Sequence, residues 1–170
     1  MTVSQNGWSV DPPLDNRAVP GTSVKLAPGV RAGDVATVLL WVAQQWHQRV
    51  EPLEAGTCWG YANRSVRGST SVSNHASATA IDLNAPRHPL GSAPAATLSA
   101  KQIAEVRKIV AETDGVVRWG GDYTGRKDVM HFEINASSSA VSAVARKLSS
   151  PQTPAPTPAA GSNIVVLETQ

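Results

Sequence analysis

SVSNHASATAIDLN, residues 71–84, and DVMHFEI, residues 128–134, are the two stretches on which the reading of this chain turns. In Ala80-Ile81-Asp82-Leu83 the side chains alternate, as in a strand over Thr79–Leu83. Ile81 and Leu83 then face a core and Asp82 faces the other way. A carboxylate in so apolar a strand is costly unless it is paired or binds a metal. Two readings stand side by side for it: a buried Asp accepting backbone N–H bonds, and a metal ligand. In the second stretch Met130, Phe132 and Ile134 alternate with His131 and Glu133. One strand over Met130–Ile134 therefore offers an imidazole and a carboxylate on the same side. A lone histidine in such a place is ordinarily a satisfied core residue. Two strands of this kind in one small domain shift the balance towards a site, and His75 in the loop before the first strand adds a second imidazole.

Working outward, three helices are expected. The first runs from a cap at Asp34 to about Arg49, with Val35, Val38, Leu39, Val42 and Trp46 at helical spacing and Pro52 closing it. The second opens at Ser99 with a capping box to Gln102, carries Ile103, Val106, Ile109 and Val110 as its stripe, and ends at Gly115. The third covers about Ser138–Leu148, burying Val141, Val144 and Leu148. Val116–Trp119 reads as a further strand and Cys58–Tyr61 as a weaker one. The mix predicts an α+β domain with helices packed on a mostly antiparallel sheet. The first thirty residues, rich in Pro and Gly, are expected to wrap the surface.

With 170 residues the chain makes about one domain. Residues 1–148 read as that domain. Residues 149–163, SSPQTPAPTPAAGSN, carry no charge and four prolines, and read as a semi-rigid polyproline-like linker. Residues 164–170, IVVLETQ, are too few for a domain and read as the start of a further segment or a cut end. At 41% apolar and 16% charged the chain is no disordered polyelectrolyte, and a net charge of +2 without a basic run gives no case for nucleic acid. The longest mainly apolar stretch, Val35–Ala43, is far short of a membrane span. MTVSQNGWSVDPPLDN shows no basic region followed by an apolar run, so synthesis in a cytoplasm and later release by other means are expected. A monomer, with or without tethered further modules, is expected. Cys58 is the only cysteine, which excludes an intramolecular disulfide, and it reads as buried and inert.

Two imidazoles and one carboxylate, His75, His131 and Asp82, form the ligand set of a catalytic zinc, with a fourth position open for water. A general base must then sit close by without being a ligand. Asp128, three residues before His131, and Glu133, two after it, are the candidates. His47, mid-helix beside Trp46, reads as structural or exposed, and His88 in APRHPLGS as solvated. The five tryptophans read mainly as core, although Trp59 and Tyr123 flank the site in sequence and are candidates to line a groove.

Ser73-Asn74-His75 with Ala80 and Asp82 resembles the S-x-H-x-x-G-x-A-x-D signature of the M15 zinc peptidases. These comprise D-Ala-D-Ala carboxypeptidases, D-Ala-D-Ala dipeptidases and phage L-alanyl-D-glutamate endopeptidases, a fold shared with hedgehog signalling domains. Asp128-Val129-Met130-His131 resembles the second half of that signature, an acidic residue three before a His. RWGGDY, residues 118–123, and GYANRSVRGS, residues 60–69, are similar to the phage branch. The resemblance implies Zn2+ on His75, Asp82 and His131, with Asp128 as general base. It also implies Arg64 as the site arginine, with Arg67 as its competitor, and Ser73 at the substrate. The implied activity is hydrolysis of peptidoglycan stem peptide, as the endopeptidase domain of a phage endolysin. A D-Ala-D-Ala carboxypeptidase is the alternative, and a non-catalytic, zinc-stabilised wall-binding module the alternative of another class. Where the family usually has Gly this chain has Ala78. A positive φ there would cost Ala on the order of 1 kcal/mol, whereas a demand for close packing alone would admit a methyl.

Overall fold

The computed structural model describes residues 2–66 and 70–150. Arg67, residues 151–163 of the expected linker and residues 164–170 lie outside the described residues. The elements are β1 (Leu14–Asp15), β2 (Val30–Arg31), α1 (Asp34–Arg49), β3 (Ala80–Asp82), α2 (Pro94–Thr97), α3 (Ala100–Ala111), β4 (Val117–Trp119), β5 (His131–Ile134) and α4 (Ser138–Ser149). Short 3-10 turns cover Ala85–Arg87 and Gly120–Asp122. This is the α+β architecture expected, with one antiparallel sheet in the order β3-β5-β4 and a small β1-β2 pair.

The register fixes the site. Asp82 lies opposite His131, and Glu133 lies between Ala80 on one side and Arg118 on the other. The polar residues of three strands thus share one face. Trp59 exchanges both backbone hydrogen bonds with Asp82 at 2.9 Å, so the weak strand near Cys58–Tyr61 survives as a bridge beside β3. The opposite face carries the core. There α1 buries Val35, Val38, Leu39, Val42 and Trp46, and the Trp46 ring meets Phe132 of β5 edge-on at 5.8 Å. Val129, not Met130, fills the core just before β5, because a turn at Asp128–His131 precedes the strand proper.

Helix ends follow local chemistry. The capping box forms: Ser99 Oγ accepts from the Gln102 backbone N–H at 3.1 Å and Gln102 Oε1 accepts from the Ser99 N–H at 2.8 Å. Asp34 is not the cap. Gly33 occupies that position, and Asp34 is the first helical residue, where its charge suits the helix dipole. Ser142 of α4 donates to its Oδ2 at 2.6 Å. α4 extends one residue further than expected, to Ser149.

Two expectations are corrected. The first thirty residues do more than wrap the surface: Val19, Val24, Leu26 and Val30 are buried in the core. Ser4–Trp8 forms a strap, in which Asn6 Nδ2 donates to Thr79 Oγ1 at 2.8 Å and to the Ile134 carbonyl at 2.9 Å. That one side chain joins the loop after His75 to the end of β5. His88 is not solvated but 1% exposed. Its Nε2–H donates to Glu51 Oε2 and its Nδ1 meets Thr97 Oγ1, both at 2.8 Å, because the Pro-rich loop folds back over Trp46. Asn84 also donates to Glu51 Oε2, at 2.7 Å. His47 is structural, its Nδ1 accepting from the Leu53 N–H.

Burial alone would raise the Glu51 carboxyl, but the hydrogen bonds from His88 and Asn84 outweigh it and hold it below the usual glutamate range. A carboxyl lowered in the fold stabilises it above its ordinary value and loses that contribution as pH falls through the folded value. Glu51→Ala strands two buried donors at a cost of about 1–3 kcal/mol. The expected result is a lower melting midpoint at pH 7 and a smaller difference from wild type at pH 3, read by thermal denaturation at both.

Ala78 has φ 55 and is fully buried. The left-handed demand is therefore real, and alanine bears it at about 1 kcal/mol. Ala78→Gly should raise the melting midpoint by about 2–4 °C for a domain of this size. An unchanged or lower midpoint by calorimetry refutes the strain.

Candidate metal centre

His75 Nε2, an Asp82 carboxylate oxygen and a His131 ring nitrogen all lie within 4.8 Å of one another, and all three residues are buried. The loop places His75: its backbone N–H donates to Ser73 Oγ at 3.1 Å, and its ring Nδ1 lies 2.7 Å from the Gly60 carbonyl. A carbonyl only accepts, so Nδ1 carries the proton. Gly60 itself packs tightly on Gly29, where a Cβ would meet the Gly29 carbonyl oxygen at 2.2 Å. His75 Nε2 then faces Asp82 Oδ2 at 3.2 Å, and His131 Nδ1 faces Asp82 Oδ1 at 3.1 Å.

RWGGDY also finds its reason here. A Cβ on Gly120 would lie 2.2 Å from the Asp128 carbonyl oxygen, so this glycine lets the turn pack directly on Asp128. The Asp128 N–H donates to the Gly120 carbonyl at 2.9 Å. Asp128 Oδ2 lies 4.0 Å from His131 Nδ1, while Oδ1 is buried without a hydrogen-bond partner. Burial raises the Asp128 carboxyl above its usual range, with His131 pulling the other way and Asp82 adding to the rise.

The donor set fits a cation. With Nδ1 of His75 protonated, its Nε2 lone pair points at a carboxylate oxygen, and both His131 nitrogens face carboxylates. Asp82, Asp128 and Glu133 bring three negative charges to this pocket of protein, answered on one side by Arg118. Without an ion the balance falls to a proton. Burial alone would lower His131, but the hydrogen bonds to Asp82 and Glu133 push it up to about 10. Asp82 is held well below the usual carboxylate range against its own burial, by His75 and His131.

These groups form the floor of a cleft of about 700 Å³. Arg64, Ser73, Tyr123 and Asp128 line it with the two histidines. Arg64 reaches the rim through a ribbon in which the Ser73 N–H donates to its carbonyl at 3.1 Å. Its guanidinium is exposed and lowers the Asp128 carboxyl slightly. Ser73 is buried with its hydroxyl engaged by the His75 N–H. Tyr123 stands 6.2 Å from the His131 ring, and its hydroxyl is raised by burial. Trp59, 43% exposed, is not among the cleft-lining residues. Gln5 of the strap does line the cleft. No sequence signal marked it, because its place depends on the long-range bond from its N–H to the Val72 carbonyl.

An antiparallel sheet and its preceding loop, offering two imidazoles and a carboxylate at the floor of an open cleft with a second, partly buried carboxylate beside them, have the form of a metal-dependent hydrolase. A family model described as D-alanyl-D-alanine carboxypeptidase matches residues 67–134, the segment that carries all of these groups except Arg64. That segment is similar to the M15 peptidases, which supports a peptidase, and zinc dependence is typical of that family. No curated protein and no solved structure matches it.

Proposed function

We propose that this protein is a zinc peptidase that hydrolyses peptidoglycan stem peptides, cutting between L-Ala and D-Glu as the endopeptidase domain of a phage endolysin. The observation that carries the reading is the convergence of His75, Asp82 and His131 within 4.8 Å beside Asp128. Those three residues would hold the ion. A zinc ion there supplies a Lewis acid for the scissile carbonyl and acidifies a water. Asp128 Oδ1, buried and unpartnered, takes the proton from the attacking water and returns it to the leaving amine nitrogen. A carboxyl raised by burial suits both halves of that transfer. Arg64 presents N–H donors over the cleft to the developing oxyanion or to a substrate carboxylate. Tyr123 and Ser73 shape the wall against which the peptide lies.

Asp128 is preferred to Glu133 as the base because His131 Nε2 lies 2.7 Å from Glu133 Oε1 and Arg118 Nε 2.7 Å from its Oε2. A wall-binding module without hydrolysis gives no reason to keep a carboxylate oxygen such as Asp128 Oδ1 buried without a hydrogen-bond partner. The endolysin assignment is supported by RWGGDY and by the proline-rich composition of residues 149–163, suited to joining a further lytic or wall-binding module. The protein would be made in the host cytoplasm and act on the wall after release. A carboxypeptidase releasing terminal D-Ala is the second reading, favoured by the description of the matched family.

Digestion of purified sacculi followed by mass analysis separates them. New amino-terminal D-Glu is the expected product. Free D-Ala establishes the second reading, and undegraded sacculi overturn both.

A further inference from the structure

Glu133 is neither a ligand nor a base, yet it is 4% exposed and bonded on both oxygens. We propose that Glu133 is the positioning residue of the metal centre: it locks the His131 ring with Nδ1 turned to Asp82, and Arg118 and Tyr123 lock Glu133 in turn. The inference rests on the metal-peptidase reading above.

The strand sets the pair up. Residues 131 and 133 lie on one face of β5, so the imidazole leans along the strand until Nε2 reaches Glu133 Oε1. The χ2 torsion of histidine has two broad wells related by turning the ring over. Only one of them gives Nδ1 to Asp82, and only that one lets Nε2–H donate to Glu133. The carboxylate therefore selects the ring orientation, places the ring proton on Nε2 and leaves the Nδ1 lone pair for an ion. It also makes that lone pair more basic.

Glu133 has no freedom to follow a turning ring. Arg118 faces it directly across the β4–β5 register, donating from Nε to Oε2. The Arg118 guanidinium lies 5.2 Å over the Tyr123 ring, so Tyr123 braces the arginine that holds Glu133. Three residues that line the cleft thus hold the back of one histidine.

The test compares wild type, Glu133→Ala and Glu133→Gln in the full chain. Zinc affinity is read by competition with a chromophoric chelator, and the His131 ring by its 15N chemical shifts in zinc-loaded protein and by its nuclear Overhauser contacts in metal-free protein. Glu133→Ala is expected to weaken zinc binding by about 10–100-fold and to lose the single Nε2–H signature. Glu133→Gln, nearly isosteric, keeps an acceptor for Nε2–H and loses the charge. It should retain that signature and lose less affinity. A residue that only supported the fold would lower the melting midpoint of every variant and leave both readouts in place.

Wild-type zinc affinity and wild-type His131 shifts in Glu133→Ala overturn the proposal. Should that variant not fold, unchanged zinc affinity in Glu133→Gln overturns it. If wild type takes up no zinc, the metal reading fails, and the metal-free contacts of the His131 ring in the variants still decide whether Glu133 orients it.

Discussion

Asp128→Asn should leave zinc bound and lower kcat on a stem-peptide substrate by about a hundred- to ten-thousand-fold. The substitution preserves shape, and the ligand set His75, Asp82 and His131 is untouched. What it removes is an oxygen able to accept a proton from water and give it up again. The size of the loss follows from the setting: Oδ1 is buried with no protein partner, so no neighbouring group stands ready to replace it. Elemental analysis of the variant should return wild-type zinc content, and turnover should be measured beside it. Full activity in Asp128→Asn rejects Asp128 as base. Loss of zinc along with activity makes it a ligand instead. The same chemistry sets the acid limb of the pH profile. Only the ionised carboxylate accepts the proton, and burial raises this carboxyl above the usual aspartate range. The limb of kcat/KM should therefore rise with pH at a value higher than an exposed aspartate gives.

The elements that could be read from sequence are those whose cause is local. The periodic stripe of α1 and the Ser99–Gln102 box needed only neighbours three or four residues away, and both stand as expected. Alternation in β3 and β5 was equally legible, and it placed Asp82, His131 and Glu133 on the polar face correctly. What stayed hidden depends on residues far apart in the chain. His88 lies in a loop of solvent-like composition, and only the distant Glu51 and Trp46 make it a core residue. The division of labour between Asp128 and Glu133 was likewise open, because both stand near His131 in sequence. The reading of Asp128 as base rests on Arg118 across the sheet, which occupies Glu133, and on Asp128 Oδ1, which has no hydrogen-bond partner. β1 and β2, two residues each, are too short for any periodicity to reveal them.

Stripping the ion with a chelator should abolish hydrolysis, leave the secondary structure in place and make zinc uptake strongly pH-dependent. The fold survives because a proton takes over the charge balance. Burial disfavours the charged His131 ring, but Asp82 and Glu133 on its two nitrogens outweigh that and hold it up to about 10. At neutral pH the metal-free site is therefore an imidazolium between two carboxylates. Zinc needs the Nδ1 lone pair and must displace that proton, so affinity falls about tenfold for each pH unit below the folded value. Between pH 8 and pH 6 the drop is about a hundredfold, measurable by chelator competition at each pH. Stability moves the opposite way in the two forms. A raised histidine stabilises the metal-free fold fully below its ordinary value near 6.5, and that contribution is lost as pH climbs towards 10. The zinc-loaded protein gains stability over the same range, because binding tightens. Melting midpoints of the two forms should thus diverge as pH rises from 6 to 9. Parallel curves, or zinc affinity indifferent to pH, would show that His131 does not surrender a proton to the ion, and the centre drawn from His75, Asp82 and His131 would have to be abandoned.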